Sequence, residues 1–295
     1  GKKIVKIYRK VMKRGGIKMK IQYLGTAAAE GIPAIFCECE TCKIARNRGG
    51  RNLRGRSGCV INDTTLIDFP PDIYSLSLRL NLNLAAIKDV FITHSHSDHF
   101  TPTELLLRMP GCYATLKDDT PLKLYGNEET KKVLKEAVIG EFKKEEIDFI
   151  EFHLLEYYKT IKSESGVFLT HLPANHKLDE KSGIFFVEEK EKRFLYAHDT
   201  GWFLEETWEY LKGKELSLVS LDCTHGKNRD DGTHMGFPNI LEVIEKLKEI
   251  GCMTEKTGVI INHFSHYGQA TYEELCELAE PYGIIVSYDG MIIQL

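Results

Sequence analysis

Residues 94–99 read His-Ser-His-Ser-Asp-His, four coordinating side chains within six positions. They follow Asp89-Val90-Phe91-Ile92-Thr93, a short apolar stretch of strand type. They precede Thr101-Pro102-Thr103-Glu104, whose capping-box spacing and proline at the first helical position predict a helix start. The coordinating residues are therefore expected in a turn between a strand end and a helix start. Imidazole suits zinc, manganese, iron and nickel, and in an extended loop the i and i+2 side chains converge on one ion while Asp98 and His99 turn toward a second. Satisfying a core does not call for four such groups together, so the chain is expected to fold around metal ions.

From Met19 onward, short apolar strands alternate with helices, and several strands end in a polar residue of chemical interest. Strands at 60–61 and 66–67 flank Asn62-Asp63-Thr64-Thr65, a hairpin signal, and the second stops at Asp68. Further strands are predicted at 122–125, 149–154, 166–172, 183–187, 193–197, 216–221, 259–261, 284–286 and 291–293, the final pair joined by a hairpin across Asp289-Gly290. Helices are predicted from Asn127 to about Gly140, around Trp208 and Leu211, and from Pro238, where Ile240, Ile244 and Leu247 recur at helical spacing. No internal repeat or composition shift divides 19–295, which reads as one domain. Residues 1–18 read as a basic N-terminal arm, in which Ile4, Val5, Ile7 and Val11 support a short edge strand and Gly15 and Gly16 a hinge.

The 295 residues are 42% hydrophobic and 28% charged, a globular composition, and no apolar run approaches the roughly 18 residues that cross a bilayer. A cytoplasmic protein without a membrane partner is expected. The net charge of −4 gives no overall attraction to nucleic acid, and the composition leaves a homodimer open. Residues 37–42 read Cys-Glu-Cys-Glu-Thr-Cys, three thiols in a loop after Gly31-Ile32-Pro33. Three cysteines with a distant histidine form a closed tetrahedral zinc set of structural type. A disulfide is the rival, which a cytosolic setting disfavours and which leaves one thiol unused. Cys59, Cys112, Cys223, Cys252 and Cys276 are isolated and read as small buried hydrophobes.

The hexapeptide at 94–99 resembles the HxHxDH signature of the metallo-β-lactamase fold superfamily. That resemblance implies an α/β fold, a four-layer αββα sandwich of two mixed β-sheets flanked by helices, spanning a hydrolase domain at 19–295. Later residues occur in the order that the family requires: His176 in Pro173-Ala174-Asn175-His176, Asp199 in Tyr196-Ala197-His198-Asp199-Thr200-Gly201, and His263 in Ile260-Ile261-Asn262-His263. The resemblance thus implies that His94, His96 and His176 hold one ion, Asp98, His99 and His263 hold another, and Asp199 bridges them. The cofactors implied are two divalent ions, zinc or manganese with nickel or iron as alternatives, sharing a hydroxide that attacks a phosphodiester. Asp199 argues against a true β-lactamase, and His94 and His96 argue against the flavodiiron branch.

A narrower resemblance, to the phosphoribosyl 1,2-cyclic phosphate phosphodiesterases of phosphonate breakdown, is carried by residues 25–33, by the spacing of His263 and His266, and by Tyr288-Asp289-Gly290-Met291. It implies that His266 completes one structural zinc site with Cys37, Cys39 and Cys42. It also implies that His234, in Gly232-Thr233-His234-Met235-Gly236, is catalytic without being a primary ligand, alongside Asp98 and Asp199. His225 competes for a supporting role, whereas His153, His171 and His198 are expected to be structural. Two departures from the family, Phe69-Pro70-Pro71 after Asp68 and the long segment between His99 and His176, lie where substrate approaches. The expected substrate is a small phosphodiester, cyclic or open. A tRNA 3′-processing endonuclease is disfavoured by the negative charge and the lack of a long Gly/Pro-rich arm, and nucleic acid is not the expected partner. The knuckle is foreign to a thioester hydrolase. A pyrroloquinoline-quinone biosynthesis B-like protein shares the knuckle, but the intact hexapeptide favours hydrolysis.

Overall fold

In the computed structural model, the structure describes residues 19–117, 120–230 and 232–295. The edge strand and hinge expected in 1–18 lie outside the described residues. Lys20–Tyr23 (β1), Cys59–Ile61 (β2), Thr65–Ile67 (β3), Asp89–Phe91 (β4), Leu122–Gly126 (β5) and Ile150–Leu154 (β6) lie side by side in that order. Thr160–Lys162 (β7), Phe168–Pro173 (β8), Gly183–Glu189 (β9), Lys192–Ala197 (β10), Leu218–Asp222 (β11), Gly258–Asn262 (β12) and Ile285–Val286 (β13) form a second sheet, also in chain order. The last strand, Ile292–Gln294 (β14), returns to the first sheet and pairs antiparallel with β1. Among the described residues each sheet has seven strands. Each also changes from antiparallel to parallel pairing, after β3 in the first and after β10 in the second.

Strand alternation divides the interior into three layers. Phe194 and Tyr196 of β10, with Phe185 and Val187 of β9, face the first sheet and meet Ile21, Tyr23, Ile67 and Phe91. The intervening Leu195, Ala197, Ile184 and Phe186 point the other way. Among the described residues the α-helices are Glu40–Arg48 (α1), Ile73–Leu80 (α2), Pro102–Leu105 (α3), Glu128–Phe142 (α4), Glu205–Leu211 (α5), Phe237–Glu249 (α6) and Tyr272–Ala279 (α7). Apolar faces of α2, α3 and α4, through Leu76, Leu105, Leu134 and Val138, cover the first sheet. Trp208, Ile240, Val243, Leu247 and Leu275 of α5, α6 and α7 cover the second. The expected four-layer αββα sandwich is the observed architecture. No helix among the described residues is long and apolar enough to cross a membrane.

Two local expectations fail. β13 and β14 are not a hairpin, because they belong to different sheets and Asp289-Gly290 crosses between them. Asp289-Gly290 still makes a tight turn, closed by Met291 N donating to the Tyr288 carbonyl at 3.0 Å, while the Asp289 carboxylate accepts from Gly55 N at 2.7 Å and Thr26 Oγ1 at 2.8 Å and ties the crossing to the loop after β1. The helix expected after residue 99 does start at Pro102, with Thr101 in the N-cap position, but the capping bond is missing: the Thr101 hydroxyl donates to the Ser97 carbonyl at 2.7 Å, and α3 is only four residues long. Asn127 does cap α4, accepting from Thr130 N at 2.9 Å. The helices α1, α2 and α7 and the strand β7 carried no expectation. α7 opens on a capping box formed by Thr271 and Glu274, which the sequence displays.

A backbone hydrogen bond joins the two halves beside the site, where Gly183 N donates to the Thr93 carbonyl at 3.0 Å, one residue before His94. A Cβ on Gly183 would stand 2.0 Å from His171 Nε2 and 2.7 Å from the Leu172 carbonyl. Gly183→Ala is expected to destabilise the fold by about 1–3 kcal/mol. Thermal melting checks this, and an unchanged melting temperature would show that the junction yields freely.

Candidate metal centres

The carboxyl ends of the strands meet at one edge of the sandwich. His94, His96, Asp98 and His99 follow β4, Asp68 follows β3, His176 follows β8, Asp199 follows β10, Asp222 ends β11 and His263 follows β12. Asp68, Asp199 and His263 have φ of 63°, 56° and 62°. Such left-handed positions cost a non-glycine residue about 1–3 kcal/mol and persist where the surroundings over-determine them. Here the backbone turns off each strand just as its side chain enters the cluster.

Two donor groups result. In the first, one ligand atom from each of His94, His96, His176 and Asp199 lies within 4.8 Å of the others, and in the second the same holds for Asp98, His99, Asp199 and His263. His94 Nε2 and His176 Nε2 are 2.9 and 3.2 Å from His96 Nδ1, and 3.1 and 3.3 Å from Asp199 Oδ2. The same Oδ2 is 3.0 Å from His99 Nε2 and 3.9 Å from His263 Nε2, while Asp98 Oδ2 is 3.2 Å from His99 Nε2. Zinc–nitrogen bonds of about 2.0–2.1 Å in a tetrahedron put ligand atoms about 3.3 Å apart, so the spacing fits a cation at each group. The fit extends to atoms that face the cluster without a hydrogen-bond partner: His99 Nε2 and His263 Nε2 are buried and make no hydrogen bond. Such groups are costly unless something else meets them.

Ring orientation is set from behind. His94 Nδ1 lies 3.1 Å from Thr93 Oγ1, His99 Nδ1 lies 2.8 Å from Asp68 Oδ2, and His263 Nδ1 lies 2.9 Å from Thr224 Oγ1 and 3.3 Å from Asp222 Oδ2. Each contact turns Nε2 toward the cluster, an arrangement that raises ligand basicity. Asp222 also accepts from the backbone N–H groups of Asp199, Thr224 and Met235 at 2.9–3.0 Å. Burial alone would raise the carboxyl groups, but the surrounding imidazoles hold Asp98, Asp199 and Asp222 well below the usual carboxylate range. Burial pushes His176 down to about 4, so its ring is neutral, the form that binds metal. His99 is held well above its ordinary value by Asp98 and Asp68 despite burial, a sign of negative charge that a cation would balance.

His234 stands beside this cluster, its side chain 23% exposed and its ring centroid 4.9 Å from that of His176. Its Nδ1 is 3.2 Å from Asp199 Oδ1 and 3.4 Å from Asp222 Oδ2. Burial disfavours the imidazolium, but the hydrogen bond and charge of Asp222, with the charge of Asp199, raise His234 to about 9. With Asp199, Asp222 and His263 it forms a further overlapping donor group. His225 lies outside all the donor groups, with Nε2 3.6 Å from Asp230 Oδ2. His198 is buried between Ser57 Oγ and Ser220 Oγ, and His153 stacks on Tyr125. Asp68, Asp222 and Thr224 were missed as site residues, although the two carboxylates stand at strand ends like the ligands themselves.

The cysteine cluster forms a separate donor group, Cys37, Cys39, Cys42 and His266. Cys37 Sγ and Cys39 Sγ are 3.3 and 3.4 Å from His266 Nδ1, near the roughly 3.6 Å that a tetrahedral zinc site sets between sulfur and nitrogen ligands. α1 starts here, with Cys39 as its N-cap residue and Cys42 in its first turn. The Ala34 N–H points at Cys42 Sγ at 3.3 Å. His266 Nε2 faces Glu30 Oε1 at 3.5 Å, and Glu30 also accepts from Ser265 Oγ. All three thiols are free. Although burial opposes it, the Cys42 backbone and His266 lower Cys39 to about 6, whereas burial pushes Cys42 up to about 12.

Residues 64–257 match the family model for the beta-lactamase superfamily domain. Among solved structures, the chain is similar to a diphosphatase from the PhnP family, with a TM-score of 0.72 and 22% identity over 94% of this chain and 98% of that one. It is similar to Zn²⁺-bound PqqB from Methylobacterium extorquens, with a TM-score of 0.67 and 16% identity over 94% and 100%. It is also similar to the short form of human tRNase Z, with a TM-score of 0.63 and 16% identity over 93% and 98%. At these identities the likeness concerns the fold, and no curated protein matches the sequence. The family match across two thirds of the chain, on a sandwich of two mixed sheets with metal-type donors at the strand ends, makes this protein a member of the beta-lactamase superfamily with the metallo-β-lactamase fold.

Proposed function

We propose that the protein is a metal-dependent phosphoric diester hydrolase acting on a small phosphodiester, cyclic or open. The observation that carries the proposal is the position of Asp199 Oδ2, which faces His94 and His176 on one side and His99 on the other at 3.0–3.3 Å. A carboxylate oxygen shared by two donor groups is the arrangement for two adjacent cations. In this reading His94, His96, His176 and Asp199 hold the first ion, and Asp98, His99, His263 and Asp199 hold the second. Cys37, Cys39, Cys42 and His266 hold one structural zinc. Two divalent ions, zinc or manganese or alternatively nickel or iron, supply a water of lowered pKa as nucleophile and positive charge for the phosphoryl oxygens.

The chain's own groups complete the reaction. With Nδ1 engaged by Asp222 and Asp199, His234 is a cation whose remaining ring nitrogen, Nε2, donates its proton to the leaving alkoxide as the phosphorus–oxygen ester bond breaks. Asp98 and Asp199 stay ionised at neutral pH and set the charge of the site. The likeness to a PhnP-family diphosphatase and to tRNase Z supports phosphoryl chemistry, and the cysteine cluster speaks against a thioesterase. Cytoplasmic residence belongs to this proposal, because it keeps the thiols reduced.

Three outcomes are expected. The metal-loaded protein hydrolyses bis(p-nitrophenyl) phosphate and one or more cyclic ribose phosphates or cyclic nucleotides, while leaving a thioester and precursor tRNA intact. Cleavage of the thioester alone would falsify the reading. Asp199→Ala is expected to abolish turnover and lower active-site metal content while one zinc is retained, whereas Cys39→Ala loses that zinc and melts lower. Elemental analysis of both variants decides whether the sites load separately. His234→Ala should keep its metals and lose about 10²–10⁴ in kcat with an alkyl leaving group. The loss should shrink with p-nitrophenolate, which leaves unaided, and an equal loss on both substrates would remove His234 from the role of acid.

A further inference from the structure

Ser95 separates the two histidines that approach each other most closely. His94 Nε2 and His96 Nδ1 are 2.9 Å apart. Because side chains alternate in extended chain, a loop that points His94 and His96 to one side points Ser95 to the other. There Ser95 meets Glu180, a residue of the loop that follows His176. Glu180 Oε1 accepts from Ser95 N at 3.2 Å and from Ser95 Oγ at 2.9 Å. Oε2 accepts from Asn127 Nδ2 at 2.8 Å, and Lys177 Nζ lies 3.3 Å from Oε1. The Glu180 side chain is 1% exposed. Asn127 is itself fixed: its Oδ1 caps α4 through Thr130 N and Thr130 Oγ1, and its Nδ2 also donates to the Lys181 carbonyl.

The contacts join the two halves of the molecule at one place. Ser95 and Asn127 belong to the half built on the first sheet, and Glu180 to the half built on the second. The first donor group is divided in the same way, with His94 and His96 from one half and His176 and Asp199 from the other. His176 lies four residues before Glu180, so the loop that supplies the third imidazole also supplies the carboxylate that grips the backbone between the first two.

We infer that Glu180 is a positioning residue for the first metal ion, holding the His94–His96 segment at the separation from His176 that one cation requires. The inference rests on the proposed ligand roles of His94, His96 and His176. It predicts an effect on one ion of the pair. A residue needed only for folding would affect both ions alike.

The test is metal binding, read by chelator competition and elemental analysis on the full chain, without recourse to turnover. Glu180→Ala is expected to weaken the more sensitive of the two active-site ions about 10–100-fold, as changes behind metal ligands do, with the other ion and the knuckle zinc unaltered. Glu180→Gln keeps an acceptor for Ser95 and gives up the bond to Asn127 and the charge opposite Lys177, so its affinity should stay within about fivefold of the wild type. In a His96→Ala background, where the first site is already broken, Glu180→Ala should change nothing further. If Glu180→Ala does not fold, Glu180→Asp, which withdraws the carboxylate by one methylene, takes its place with the same expected selective loss.

Wild-type binding of both ions by Glu180→Ala, parallel weakening of both, or a further loss in the His96→Ala background each overturns the inference. A wild-type protein that binds no ion at the histidine cluster would overturn the proposed function itself, a different and separately readable result.

Discussion

Asp199 places a full negative charge at the bottom of the site, almost out of contact with water, and the surrounding structure is arranged to make that tolerable. Its Oδ2 faces imidazole nitrogens from three directions at 3.0–3.3 Å, and its backbone N–H is tied to Asp222 at 3.0 Å. Asp68, Asp98 and Asp222 are buried in the same region, so four carboxylates share a volume from which water is largely excluded. Isolated buried carboxylates would take up protons rather than stay charged. Here the imidazoles hold three of them ionised, and the spacing of the donor atoms leaves divalent cations as the remaining balance. The side-chain net charge of −4 therefore says little about the field that a substrate meets, because bound cations are outside that count.

What the sequence revealed depended on how contiguous the information was. The hexapeptide at 94–99 announces itself because the ligands of both donor groups begin within one turn of chain. His176, Asp199 and His263 are scattered, and only their order and their position after strands set them apart from other loop residues. The groups behind the ligands were harder still. Asp68 and Asp222 were visible as the polar ends of strands, but which imidazole each one meets is decided by sheet order. Glu180 carries no local signal, since its partners Ser95 and Asn127 lie 85 and 53 residues away. The fold shows the same limit: the sandwich followed from the resemblance, whereas Asp289-Gly290 looked like a hairpin because its contacts with Gly55 and Thr26 come from more than 200 residues away.

The segment 263–266 places a donor of the histidine and aspartate cluster and a donor of the cysteine cluster three residues apart. Between them, the Phe264 backbone pairs with the loop after β1, donating to the Thr26 carbonyl and accepting from Ala28 N, each at 2.9 Å. Glu30, in that same loop, grips Ser265 and faces His266. The cysteine cluster thus anchors both strands of a small backbone ladder whose far end turns His263 into the site. A zinc ion there would act on the centre through the stiffness of that ladder.

The two donor groups that contain residues of 94–99 each take two from the first half of the chain and two from the second: His94 and His96 with His176 and Asp199, and Asp98 and His99 with Asp199 and His263. Neither of these two groups can form until the two sheets have docked. A ligand that binds only the assembled state stabilises that state by mass action. On the proposed function, ions bound there would in this sense be the last contacts of the tertiary structure as well as reagents. A cell short of the metal would then be expected to lose the protein itself to unfolding and proteolysis, instead of accumulating an intact but idle enzyme.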